Sequence, residues 1–152
     1  MKGKIRIAHS VKIIMLAILI LTACASGGVG PVLPSPTNVV IIPPASDLAP
    51  SLAAFSGIWE GVWDGQLSSR LIVERIDATS AQVVYIWGRS LNNYVNPGWR
   101  RYKVHVLPDG KLQWGKDFSY TFTMNENLVN IRGELKQPSH VFTIIMEKVS
   151  SK

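Results

Sequence analysis

The sequence predicts an all-β domain: an antiparallel up-and-down meander of about eight strands, forming a small closed or nearly closed barrel. Three observations carry this. Between Phe55 and Val149 apolar residues recur at a spacing of two, as in Phe118, Tyr120, Phe122 and Met124 against Ser119, Thr121 and Thr123. The alternating segments are short and are separated by turn residues, with one longer interruption at 88–98. No window of this region carries a helical period. A span of about 95 residues is too short for two large sheets. Closure removes the sheet edges and buries one face of every strand. A half-open roll or a small sandwich is the competing arrangement.

The elements follow in order. Ile58 to Asp64 reads as the first strand, with Trp59 and Trp63 on one face, and Asp64-Gly65 is a hairpin signal. The second strand runs from Gln66 or Leu67 to Ile76 and alternates Leu71 and Val73 against Arg70 and Glu74. After the turn Asp77-Ala78-Thr79-Ser80, Ala81 to Trp87 is apolar on both faces, with Val83, Tyr85 and Trp87 on one and Val84 and Ile86 on the other. The fourth strand spans about Trp99 to Leu107, and Pro108-Asp109-Gly110-Lys111 is a tight turn. Lys111 to Trp114, Phe118 to Met124, Leu128 to Leu135 and His140 to Val149 complete the set.

Two segments precede this domain. Residues 1–12 are cationic, and 13–21 are nine uncharged apolar residues. A spanning helix needs about 20 such residues, so 1–23 reads as a signal peptide. Leu21-Thr22-Ala23-Cys24 resembles a lipobox, with Cys24 as the lipid acceptor. The chain has no other cysteine, so no intramolecular disulfide can form. Residue 25 is Ala and not Asp, which by resemblance to Gram-negative sorting points to the outer membrane, facing the periplasm. Residues 24–54 read as the lipidated cysteine and a tether: Pro31, Pro34, Pro36, Pro43, Pro44 and Pro50 exclude a helix and a central strand. Fully extended, such a tether reaches up to roughly 90 Å. The apolar tetrad Val39-Val40-Ile41-Ile42 either packs on the domain, stays unstructured or adds to a partner's sheet edge. Asp47 to Leu52 has room for one helical turn.

Gly57-Ile58-Trp59-Glu60-Gly61, opening a meander of this size, resembles the first strand of lipocalin-like and avidin-like (calycin-type) barrels. The resemblance covers about residues 55–149 and implies a lipocalin-like barrel there. It implies that Trp59 lies across the closed bottom and that Gly57 permits close backbone approach. The run from Trp63 through Val83-Val84-Tyr85-Ile86-Trp87-Gly88 looks like small bacterial β domains found alone or beside hydrolase and peptidase domains. No biotin contacts carry over.

Function is less legible. The formal charge of +6 is misleading, because Lys2, Lys4, Arg6 and Lys12 precede Cys24 and leave twelve Lys and Arg against ten Asp and Glu. That balance gives no reason to expect nucleic acid. No nucleophile elbow, zinc-protease helix, phosphate loop or dinucleotide motif occurs. Glu60 and Asp64 share a face but read as polar surface, and His105 and His140 lack a carboxylate cluster for a metal. The expectation is no enzyme, no cofactor and no metal. The primary reading is a membrane-anchored envelope lipoprotein with a structural or protein-interaction barrel. The alternative is a barrel binding a small apolar or sugar-like molecule, or an accessory module for an envelope enzyme. Candidate ligand residues are Tyr85, Trp87, Tyr94, Trp99, Tyr102 and Arg100, aromatic and polar groups around the long loop. Arg101 and Lys103 read as a solvated basic face, and Trp59, Trp87, Phe118, Tyr120 and Phe122 as core. A cavity above roughly 300 Å³ favours binding, whereas a solid interior favours the structural reading.

Overall fold

The computed structural model describes residues 33–91 and 94–150. The leader and Cys24 lie outside the described residues. A short helix, α1 (Pro50–Ala53), precedes eight strands: β1 (Gly57–Trp63), β2 (Leu67–Ile76), β3 (Ser80–Trp87), β4 (Gly98–Val106), β5 (Leu112–Trp114), β6 (Ser119–Met124), β7 (Asn130–Lys136) and β8 (Val141–Lys148). Each strand pairs antiparallel with the next, and β8 returns to β1 through Trp59↔Lys148, Glu60↔Glu147 and Gly61↔Met146, closing the barrel. The meander expected from the alternation is therefore present, and the open roll and the sandwich are not. The Asp64-Gly65 turn has both residues at positive φ (39° and 72°), the geometry whose twist matches a two-stranded ribbon.

Inward positions fill the interior at one end. Phe55, Trp59, Leu71, Val73, Val83, Leu112, Phe122, Ile131 and Met146 are fully buried. Two glycines make the inner wall thin enough for its aromatics. A Cβ on Gly133 would stand 2.5 Å from the Phe122 ring, and one on Gly61 2.3 Å from the Ile145 carbonyl oxygen. The lower end is sealed by Leu52 of α1, Phe55 and Trp59. The Trp59 indole Nε1 donates to the Phe55 carbonyl (2.7 Å), so the buried ring leaves no orphan donor. Lys148 lies over its face, 5.1 Å from the centroid, and donates to the Ala54 carbonyl. At Gly57 (φ 123°) a Cβ would come within 2.9 Å of the Lys148 side chain.

The proline-rich segment is not free along its described length, and packing on the domain, one of the readings open for Val39 to Ile42, is the one it follows. From Leu33 onward it lies along the outside of β2 and β3. Leu33 and Val39, with Ile58, cover Ile72, Val84 and Ile86. This explains why β3 is apolar on both faces: one faces the core and the other the strap. Glu74 sits at the register shift between Val73 and Arg75 and is 5% exposed. Its carbonyl accepts from Ile42 N–H (2.7 Å), and its carboxylate accepts from Arg101 Nε (2.8 Å) and Nη2 (3.0 Å). Arg101 Nη2 also donates to the Asn38 carbonyl (3.1 Å). Arg101 is thus a clamp joining β2, β4 and the strap, and not the solvated cation that alternation suggested. Of the tetrad, Val39 packs on the wall while Val40 is 64% exposed. Phe118, read as core, precedes β6 in the Gly115 loop and is 53% exposed.

Candidate functional site

The upper end of the barrel is open. The β1–β2, β3–β4, β5–β6 and β7–β8 connections lie there, because odd strands run towards that end and even strands away from it. Inside it is a cavity of about 400 Å³, within the range of small-molecule sites. Its wall is aromatic, with Trp63, Tyr85, Trp87, Tyr102, Tyr120 and Phe142, and Leu67 and Leu135 add aliphatic surface. Gln66, Gln137, Ser90, Asp64, Tyr94 and Val95 lie around the rim.

The rings are held by contacts with one another. Tyr85 is central. Its hydroxyl accepts from Trp63 Nε1 (2.6 Å) and donates to Ser69 Oγ (3.0 Å), and the ring packs tilted on Tyr120 with centroids 5.4 Å apart. Burial holds the Tyr85 phenol well above its ordinary pKa, and burial also raises that of Tyr120. Both remain neutral hydroxyls at any physiological pH. Beneath them Trp114 stacks on Tyr120 (5.0 Å, 10°) and Phe122 (5.2 Å, 11°). Its indole Nε1 is buried without an acceptor among the described residues. Trp87 Nε1 donates to the Asn96 carbonyl (2.9 Å), which ties the long loop to the mouth.

Tyr102 and Tyr120 line the cavity, and among the described residues neither hydroxyl bonds a protein group, unlike that of Tyr85. Asp64 is the only lining carboxylate, and no cation lines the wall among the described residues. Asp64 Oδ1 already accepts from Thr143 N–H (3.0 Å) and Oγ1 (3.1 Å). Such a site suits an uncharged molecule, mostly apolar, with a polar group near the two phenols.

Four of the six residues expected from the sequence line this site: Tyr85, Trp87 and Tyr102 in the wall and Tyr94 on the rim. Trp99 and Arg100 do not. Trp99 pairs with the outward-facing Ile86, so its ring stands outside the barrel. Arg100 pairs with Tyr85, at the inward phase of β4, but lies near the strand's upper end and is exposed. Trp63, Tyr120 and Phe142 were not expected, nor was the rim pair Gln66 and Gln137. Glu60 and Asp64, on one face in the sequence, serve different partners: Arg70 bonds Glu60, and Thr143 bonds Asp64. Among the described residues no three His, Cys, Asp or Glu side chains gather where they could hold a metal. Neither a protein-family model nor a curated protein matches this chain.

Proposed function

We propose that the protein is a bacterial envelope lipoprotein, cut before Cys24 and held by lipid on that cysteine, whose barrel takes up a small, uncharged, largely apolar molecule. The carrying observation is the cavity of about 400 Å³ walled by Trp63, Tyr85, Trp87, Tyr102, Tyr120 and Phe142. A barrel of this size can fill its own interior with side chains, and the lower half does. A barrel that acts only as a docking body has no use for an open upper half. The hydroxyls of Tyr102 and Tyr120, which bond no protein group among the described residues, supply the few directional contacts such a site needs. The Trp59 seal supports the lipocalin-like resemblance, and the lipobox order of Leu21 to Cys24 supports the anchor. Ala25 favours the outer membrane over the inner.

Native mass spectrometry of the protein purified from its own host tests the binding. The expected spectrum shows a mass surplus beyond the lipid anchor that disappears on denaturation. A spectrum with the anchor alone, at every extraction condition, contradicts the proposal. The anchor has a separate test: the Cys24→Ser chain should lose labelling by a fatty-acid analogue, and undiminished labelling contradicts it.

A further inference from the structure

We propose that the open end of the barrel is a membrane-docking face, lying against a bilayer that contains anionic lipid. This rests on the reading of Cys24 as the lipid-bearing residue and goes beyond it, because an anchor alone fixes no orientation.

Leu33 packs beside Gly88, at the upper end of β3, with its Cδ2 3.3 Å from where a Gly88 Cβ would lie. From there the strap descends past Arg101 and Glu74 to α1 at the sealed end. The described strap therefore begins at the mouth. Cys24 is nine positions before Leu33, and nine residues span at most about 30 Å. A barrel with a ten-residue tilted strand is about 25 Å tall. Turning the sealed end to the bilayer would use nearly the whole length of that chain, whereas turning the mouth to it uses almost none.

The two ends also differ in chemistry. Leu91 is 77% exposed, Tyr94 88% and Phe118 53%, and all three stand on loops at the mouth. Arg89, Arg100, Lys116 and Lys136 surround them, against Asp64 and Asp117. The turns of the sealed end carry Asp77, Asp109 and Glu126, against Lys111, which is bound to Asp109 (2.7 Å), with Arg75 and Lys148 close by, and expose less apolar surface, at Leu128 (36%) and Val129 (58%). Exposed apolar side chains flanked by an excess of cations match the headgroup region of an anionic leaflet, and the sealed end offers neither that excess nor as much exposed apolar surface. The cavity then opens towards the bilayer.

The test uses the lipidated full protein in vesicles of phosphatidylethanolamine and phosphatidylglycerol carrying a nitroxide-headgroup lipid. Two variants, Leu91→Cys and Glu126→Cys, each present one free thiol for a thiol-reactive nitrobenzoxadiazole fluorophore. The unsubstituted chain is expected to take no label, because lipid blocks Cys24. Fluorescence at position 91 is expected to be quenched several-fold more than at 126. Equal quenching, or stronger quenching at 126, overturns the docking face while leaving the anchor intact. Labelling of the unsubstituted chain is a distinct failure: it overturns the anchor, and the docking face falls with it.

Discussion

The two ends of the barrel use the same eight strands and the same alternation, and end up doing opposite things. At the sealed end Trp59, Phe55 and Leu52 close the interior, and the one polar atom of the Trp59 side chain is satisfied. At the open end the large rings also meet, Trp63 and Tyr85 both packing on Tyr120 (6.2 and 5.4 Å), yet a cavity of about 400 Å³ remains, and among the described residues the Tyr102 and Tyr120 hydroxyls bond no protein group. The difference does not come from strand composition, since both ends are rich in aromatics. It comes from a plug. The chain crosses the lower end as α1 and Phe55 before entering β1, whereas at the upper end the loops stay at the rim. Stability should concentrate below and ligand recognition above.

The largest expected effect is at the seal. Trp59→Ala should lower the unfolding free energy by about 3–5 kcal/mol, measured by urea denaturation. Trp87→Ala, at the half-exposed mouth, should lose only a fraction of that. Equal losses would erase the distinction between the ends. Next comes the boundary between them. Gly133→Ala drives a methyl into the Phe122 and Ile144 side chains, each 2.5 Å away, and should cost about 1–3 kcal/mol.

A smaller effect belongs to the β2–β3 turn at the sealed end. Asp77 accepts from the backbone N–H groups of Thr79 (2.9 Å) and Ser80 (2.8 Å). These bonds, that from Thr79 first, hold its carboxyl well below the usual range. A depressed folded pKa contributes stability above the unfolded value of about 4, and loses it as pH falls through the folded pKa. Asp77→Ala should therefore lower the melting temperature at neutral pH, and the gap to wild type should close in strong acid. A gap that is constant with pH contradicts that role. The smallest effect is at the mouth: Tyr120→Phe removes a hydroxyl that has no protein partner among the described residues and should leave the melting temperature unchanged.

Much of the architecture was legible because a closed barrel obeys a period of two. Alternation put Trp59 with Trp63, Tyr85 with Val83 and Phe122 with Tyr120 on shared faces, though it could not say which face of β3, apolar on both, looks inward. Alternation gives the face and not the height along the barrel axis. It therefore could not separate Trp63 and Tyr120, which line the cavity, from Trp59 and Phe122, which fill the core below it. Trp99 is a different case. It lies three residues from Tyr102, an odd spacing that puts the two on opposite faces of one strand, so parity already separated them. The strap was half legible: six prolines read as linker and left packing of Val39 to Ile42 on the domain as one of three readings, although Val84 and Ile86 on the far side of β3 signalled that something apolar must cover them. Arg101 and Glu74 are 27 residues apart, and only the register brings them together.

The central claim is that the upper half of the barrel is a binding site. Titration of the Cys24→Ser protein with N-phenyl-1-naphthylamine, a neutral apolar fluorophore, tests it most directly when run beside Leu135→Trp. Leu135 faces the cavity, so an indole there occupies the space a ligand would take. The expected result is saturable one-site binding to the parent protein, lost in Leu135→Trp, with the melting temperature little changed. No saturable binding to the parent, or undiminished binding to Leu135→Trp, would contradict the account.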